Sequence, residues 1–267
     1  MISIKVLDKK GRTIAVSHGE QSAFLVASHI YEDGDRIEFE ISEEKEFYVL
    51  QVDDCLGEEL VYLTKNMAFR IPFGEKRICY SPRAFQGERH LLTARKARPE
   101  EVSGYRLLSR NRLDQSADTG AYPHASANIE TRGEAVFAAR NAIDGIYANT
   151  SHGEWPYGSW GINRDPNAIW KLEFGREVCI DKLIVYERAD FPHDNWWKEV
   201  TVRFSDGSNI VLKLEKTEQG QPFSFEKKTV TWLQLENLIK SDEPSPFPAL
   251  TQVEVFGWEE NKDNLTL

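Results

Sequence analysis

The sequence predicts an all-β protein made of two β-sandwich domains, and three observations carry that reading. Short runs rich in Val, Ile, Phe, Tyr and Leu recur along the whole chain, divided by Gly, Asp, Asn and Pro, which is the pattern of sandwiches and barrels. Turn signals such as Asp33-Gly34 and Ser205-Asp206-Gly207-Ser208 fall between these runs. The run Arg36-Ile-Glu-Phe-Glu-Ile alternates polar and apolar residues, so one face packs inward while Glu38 and Glu40 face water.

In order, the first hundred residues give strands at Ser3–Leu7, Thr13–Ser17, Phe24–Ser28, Arg36–Ile41, Phe47–Val52, Leu60–Leu63, Met67–Ile71 and His90–Ala94. These form an N-terminal sandwich over residues 1–98, with no family motif and no assigned role. Pro99-Glu-Glu-Val then carries a helix start, with Pro at the first helical position and acids at the positive end of the dipole. A short helix and the polar run Ser109–Thr119 make residues 99–120 the linker. The second domain spans residues 121–260, with strands at Ala168–Phe174, Ile180–Glu187, Glu199–Phe204, Ser208–Leu214, Ser224–Phe225, Thr229–Leu235 and Val253–Trp258, and residues 261–267 form a tail.

Composition narrows the function. With 267 residues, 40% hydrophobic and 28% charged, the chain has the make-up of a globular protein able to bury a core without disulfides. Its net charge of -10, with Lys and Arg interleaved among Asp and Glu, offers no concentrated basic face for a phosphate backbone, so no nucleic-acid partner is expected. No uncharged apolar run approaches the roughly 18 residues of a membrane span. The start, MISIKVLDKKGR, reads as a strand and turn rather than a signal peptide, and the expected location is cytoplasmic. Cys55, Cys79 and Cys179 agree with that compartment, being odd in number and without a C-x-x-C pattern. No G-x-S-x-G, H-E-x-x-H, Walker or G-x-G-x-x-G motif marks a hydrolase, zinc protease or nucleotide site.

The second half carries a series of signposts: Ala125-Ser-Ala-Asn, Asn141-Ala-Ile-Asp-Gly, Trp170-Lys-Leu-Glu-Phe-Gly, Ile180-Asp-Lys-Leu-Ile-Val-Tyr and Ala249-Leu-Thr-Gln-Val-Glu-Val-Phe-Gly. In that order they resemble the galactose-binding-like jelly rolls over about residues 121–258. These are the discoidin (coagulation factor 5/8 type C) domains, F-type lectins and related carbohydrate-binding modules. The resemblance implies a structural calcium held by Asn141, Asp144, Thr150, Ser151, Thr251 and Gln252, a set of hard oxygen donors. A glutamate is common where Gln252 stands, so this chain departs from the pattern by one charge. The alternative is that Asp144-Gly145 simply forms a turn.

The resemblance also implies that a mono- or oligosaccharide meets loops at one end of the jelly roll, here residues 149–160 and 188–197. A pyranose needs an aromatic plate for its C–H face and fixed hydrogen-bonding groups for its hydroxyls. Trp155, Trp196 or Trp197 supplies the plate in this reading, and Arg188 the five-donor fork. His152, Glu154, Asp190, His193, Asp194 and Asn195 supply the remaining polar groups. Adjacent residues on extended backbone face opposite ways, so of the two neighbouring indoles Trp196 is expected exposed and Trp197 packed. The function expected is non-catalytic carbohydrate binding, assisting a companion carbohydrate-active enzyme. Two alternatives stay open: a glycoside-processing enzyme using Glu154, Asp190 and Asp194, or a protein-interaction module whose aromatic loops meet a protein partner or a second copy of the chain.

Overall fold

The computed structural model describes residues 1–151, 153–189 and 195–260. Strands dominate it. The N-terminal unit contains β1 (Ile2–Leu7), β2 (Thr13–Gly19), β3 (Ser22–Ser28), β4 (Arg36–Ile41), β5 (Glu46–Gln51), β6 (Glu59–Leu63), β7 (Met67–Arg70) and β8 (Arg89–Lys96). One antiparallel sheet has the order β2-β1-β4-β7, and a second has β6-β5-β8-β3. The alternation read in Arg36–Ile41 is the working one, since Ile37 and Phe39 are fully buried between the sheets.

The linker is built into both units rather than spanning between them. α1 (Pro99–Val102) begins where expected, and the Glu101 carboxylate accepts from the Arg98 amide at 2.8 Å and from Arg95 at 2.7 Å. β9 (Arg106–Leu107) follows, then β10 (Ala121–Tyr122), β11 (His124–Ala127), β12 (Trp160–Gly161), β13 (Trp170–Glu187), β14 (Trp197–Phe204), β15 (Asn209–Lys213), β16 (Gln221–Lys240) and β17 (Ala249–Glu259). β9 pairs with β17 in the C-terminal sheet, while β10 returns to pair with β6 of the N-terminal unit. The chain therefore enters the second unit, comes back to the first, and leaves again.

The C-terminal sheet runs β12-β17-β13-β16-β14-β15, with β11 on β13. Two segments read from sequence as strand pairs are single long strands, β13 and β16. β13 pairs with β11 along Trp170–Glu173 and with β17 from Val178 onward, so it changes partner across an irregularity between Glu173 and Val178. Gly175 sits in that irregularity at φ 71, where a Cβ would fall 2.4 Å from the Tyr122 ring. Its bend folds the sheet over a core of Trp160, Trp170, Phe174, Trp197 and Phe204. Burying each such ring stabilises the unit by about 1.5–3 kcal/mol.

The junction is packed and charged. Leu113, Val136 and Phe137 join the N-terminal core. Buried Glu59 on β6 meets Arg110 at 3.0 Å and Arg112 at 3.8 Å, and the Arg140 guanidinium lies 4.7 Å from the centre of the Tyr80 ring. Among the described residues no helix is long and apolar enough to cross a membrane.

Candidate functional site

Of the predicted sugar-binding residues, His152, Asp190, His193 and Asp194 lie outside the described residues. Glu154 is exposed and accepts from the Ser151 hydroxyl at 3.2 Å, closing its own short turn. Trp155 is 37% exposed. Trp197 is buried against Trp160 at a ring separation of 6.2 Å, and Trp196 is half-buried with its indole N–H donating to Glu243 at 3.3 Å.

Two expected ligand-facing residues belong to the interior instead. Asn195 is 0% exposed; its amide donates to the carbonyls of Glu243 and Ser245, and its Oδ1 accepts from the Trp196 amide at 2.7 Å and the Ser241 hydroxyl at 2.8 Å. Every polar atom of that side chain is spent on pinning the connection before β14. Arg188 is 1% exposed; its amide donates to the Ala249 carbonyl at 2.8 Å and its guanidinium to the Tyr157 carbonyl. Residue type suggested a surface fork, but Arg188 continues β13 inward and ties residue 157 to the start of β17.

The residues expected around calcium are also mostly buried. The Asn141 amide donates to the carbonyls of Ala135 at 2.8 Å and Ser159 at 3.3 Å, and its Oδ1 accepts from Arg140 at 3.1 Å. Asp144 accepts from the Ile146 amide at 2.8 Å; burial pushes its carboxyl up to about 7, with the Arg140 charge opposing that shift. Thr150 donates to the Glu154 carbonyl at 3.1 Å, and Ser151 bonds the Glu154 carboxylate. Thr251 and Gln252 are buried on β17, and neither amide atom of Gln252 has a hydrogen-bond partner among the described residues. A buried orphan amide oxygen and a buried carboxyl fit a hard cation in donor type. No group of three or more His, Cys, Asp and Glu stands together among the described residues, so any cation there would depend on neutral oxygens.

An open cleft of ≈ 260 Å³ lies against β12 and the start of β17, lined by Thr131, Arg132, Phe137, Asn163, Arg164 and Phe247 among others. The Arg164 guanidinium stacks 4.5 Å from the Phe247 ring centre and Arg132 stands 5.4 Å from that of Phe137. Arg132 is also paired with Glu134 at 2.5 Å. Arg132 (φ 53), Asn163 (φ 48) and Arg164 (φ 63) all have left-handed backbone, which costs an Arg about 1–2 kcal/mol and concentrates at sites held in place by their surroundings. The Thr131 hydroxyl holds that turn by accepting from the Asn163 amide at 2.9 Å, and Gly161 permits the approach, since a Cβ there would meet Thr131 Oγ1 at 2.5 Å. Ala249, whose carbonyl receives the Arg188 amide, forms part of the same wall. Sequence reasoning passed over Phe247; its setting in Pro244-Ser-Pro-Phe-Pro, a rigid connection before the closing strand, was the available signal.

A second cavity of ≈ 260 Å³ lies between the units, where Trp155 meets Tyr80, Arg112, Arg140, Asp144 and the two thiols of Cys55 and Cys79. Trp155 therefore faces the N-terminal unit and lines a different cavity from the one that Arg164 lines.

A family model described as a domain of unknown function, DUF7402, matches residues 116–244. Comparison with curated proteins finds no match. Among solved structures, the chain is similar to the family 32 carbohydrate-binding module of Clostridium perfringens NanJ in complex with galactose, at 11% identity and a TM-score of 0.41, covering 57% of this chain and 99% of that one. It is similar to chitosan-binding module 1 of a Paenibacillus sp. IK-5 chitosanase/glucanase, at 15% identity and a TM-score of 0.38, over 57% and 99%. A third likeness is to the lectin domain of lectinolysin complexed with Lewis B antigen, at 20% identity and a TM-score of 0.40, over 51% and 92%.

Proposed function

We propose that the C-terminal unit binds a mono- or oligosaccharide in the cleft walled by Phe247 and Arg164. One observation carries this reading: the cleft sets guanidiniums against aromatic rings around an open space, on a left-handed turn that fixes their positions. Apolar ring and proline surface suits the C–H face of a pyranose, while Arg164, Arg132 and Asn163 offer donors and an acceptor to its hydroxyls. Phe247 in this reading serves as the plate and Arg164 as the fork, in place of the tryptophans and Arg188 expected from sequence. In this reading the chain recognises saccharide without cleaving it, acts beside a companion carbohydrate-active enzyme, and does so in the cytoplasm.

A glycan array followed by titration of each hit tests it. Phe247→Ala and Arg164→Ala should each weaken binding at least about tenfold, the loss of one well-placed contact of about 1.4 kcal/mol, with the melting temperature unchanged. An array without hits, or hits indifferent to both substitutions, removes the proposal.

We also propose a structural calcium ion, with Asp144 and Gln252 as the residues that would hold it and Asn141, Thr150, Ser151 and Thr251 adding oxygens. Bound there, the ion would tie the segment after Asn141 to the last strand. Calcium should raise the melting temperature relative to a chelator, and Gln252→Glu, by adding a carboxylate, should enlarge the rise. Equal melting with calcium and chelator in both proteins would dismiss the ion.

A further inference from the structure

We propose that the cavity between the two units is a second ligand site, shaped for a small molecule bearing a carboxylate. It gives the N-terminal sandwich a share in recognition and is independent of the cleft at Phe247, since Arg140 and Trp155 line one and Arg164 and Phe247 the other.

The cavity is organised around Arg140. This side chain is 5% exposed; the carboxyls of Asp144 and Asp114 act on its charge, but neither forms a salt bridge with it among the described residues. Its guanidinium stacks on Tyr80 and donates to three neutral acceptors: Cys79 Sγ at 3.7 Å, Asn141 Oδ1 at 3.1 Å and the Arg112 carbonyl at 3.3 Å. Its Nε–H is buried and engages nothing among the described residues. A guanidinium has five donors, so the edge that includes Nε keeps unspent capacity of the kind that takes a carboxylate side-on. Asp144 and Asp114 offset this buried charge only from beyond contact distance, and an anion entering the cavity would bond it directly.

The other lining groups agree. Arg112 adds a second guanidinium, shared with Glu59 at 3.8 Å, so the cavity holds two cationic groups against the single carboxyl of Asp144. The exposed indole of Trp155 and the Tyr80 ring offer apolar faces to the body of the ligand. A volume of ≈ 260 Å³ suits a molecule the size of one sugar ring. An acidic sugar and a simple organic acid share the required chemistry.

Cys55 is exposed on the same lining and reports occupancy. The full chain would be labelled with N-ethylmaleimide, the Cys55 adduct followed by peptide mass, and the rate compared with D-galacturonate, D-galactose or acetate present. Galacturonate should slow labelling saturably and galactose should not; slowing by acetate as well would identify a simple acid as sufficient, and its absence would identify an acidic sugar. Arg140→Lys, which keeps the charge but loses the fork, should weaken protection at least tenfold. Arg112→Gln, on a half-exposed side chain and so a safeguard should the buried variant not fold, should weaken it several-fold. Phe247→Ala should leave protection intact, which separates failure here from failure at the cleft. Unchanged labelling with galacturonate, equal protection by galactose, or protection indifferent to both arginine variants overturns the proposal.

Discussion

The N-terminal sandwich is assembled from strands of 4 to 8 residues that each stay within one sheet, whereas the C-terminal unit depends on strands of 18 and 20 residues that change partners along their length. In the first design strands such as β3 and β7 keep one inward face throughout, so their buried and exposed positions follow a single alternation. In the second, β13 crosses an irregularity between Glu173 and Val178 and faces new neighbours beyond it. Sandwich layers made from separate strands need many turns; layers made by bending one strand need few, and leave the long connections free to line cavities.

The sharpest way to break this contrast is to ask whether the units unfold separately. All seven tryptophans lie between Trp155 and Trp258, six of them away from the junction that Trp155 lines, so indole fluorescence reports chiefly the C-terminal unit while far-ultraviolet circular dichroism reports both. Trp170→Ala removes a fully buried ring and its N–H bond to the Ala139 carbonyl, and should cost about 3–5 kcal/mol. Because the units share the edge of one core through Leu113, Val136 and Phe137, the two signals should fall together in urea. Separate transitions would show that the sandwich stands alone.

A smaller effect is expected at the junction itself. Glu59→Ala removes the buried carboxylate between Arg110 and Arg112, whose side chains are 40% and 35% exposed and can turn back to water. The loss should therefore be about 1–3 kcal/mol rather than the larger penalty of stranding a buried charge, and the two unfolding signals should begin to separate. Coincident curves with unchanged midpoints would show that the apolar edge alone couples the units.

The gentlest change concerns Glu187, which ends β13 and accepts from the Trp197 amide at 2.6 Å across the second long loop. Burial pushes its carboxyl from 4.5 up to about 8, so the folded chain holds that proton more tightly than the unfolded one. Its contribution is fully present below pH 4.5 and is lost as pH rises through about 8. Glu187→Gln should flatten the fall of melting temperature across that range; a slope equal to that of the parent protein would assign the pH dependence elsewhere.

Much of the N-terminal unit was legible because alternation survives wherever a strand keeps one face inward, as Arg36–Ile41 does. The helix at Pro99 was legible from its own start signals. In the C-terminal half the strand interiors are legible, but the sequence predicts separate strands at Ala168–Phe174 and Ile180–Glu187 where the structure has one strand, Trp170–Glu187, that passes through Gly175. Of the two indoles at 196 and 197, alternation rightly assigned Trp197 to the core. Arg188 and Asn195 were misplaced because residue chemistry says what a side chain can bond, not whether a main-chain carbonyl already occupies it.

By itself the sequence determined the β class and which faces of regular strands are apolar, since these follow from periodicity and turn chemistry within a few residues. Only the tertiary structure decided that Phe247 would stand beside Arg164, that Trp155 would look toward Tyr80, and that Arg140 would be enclosed with Asp144 near it but not bonded to it. Those placements join residues many positions apart, and they are set by how the bent strands and the returning linker pack, which no local pattern encodes.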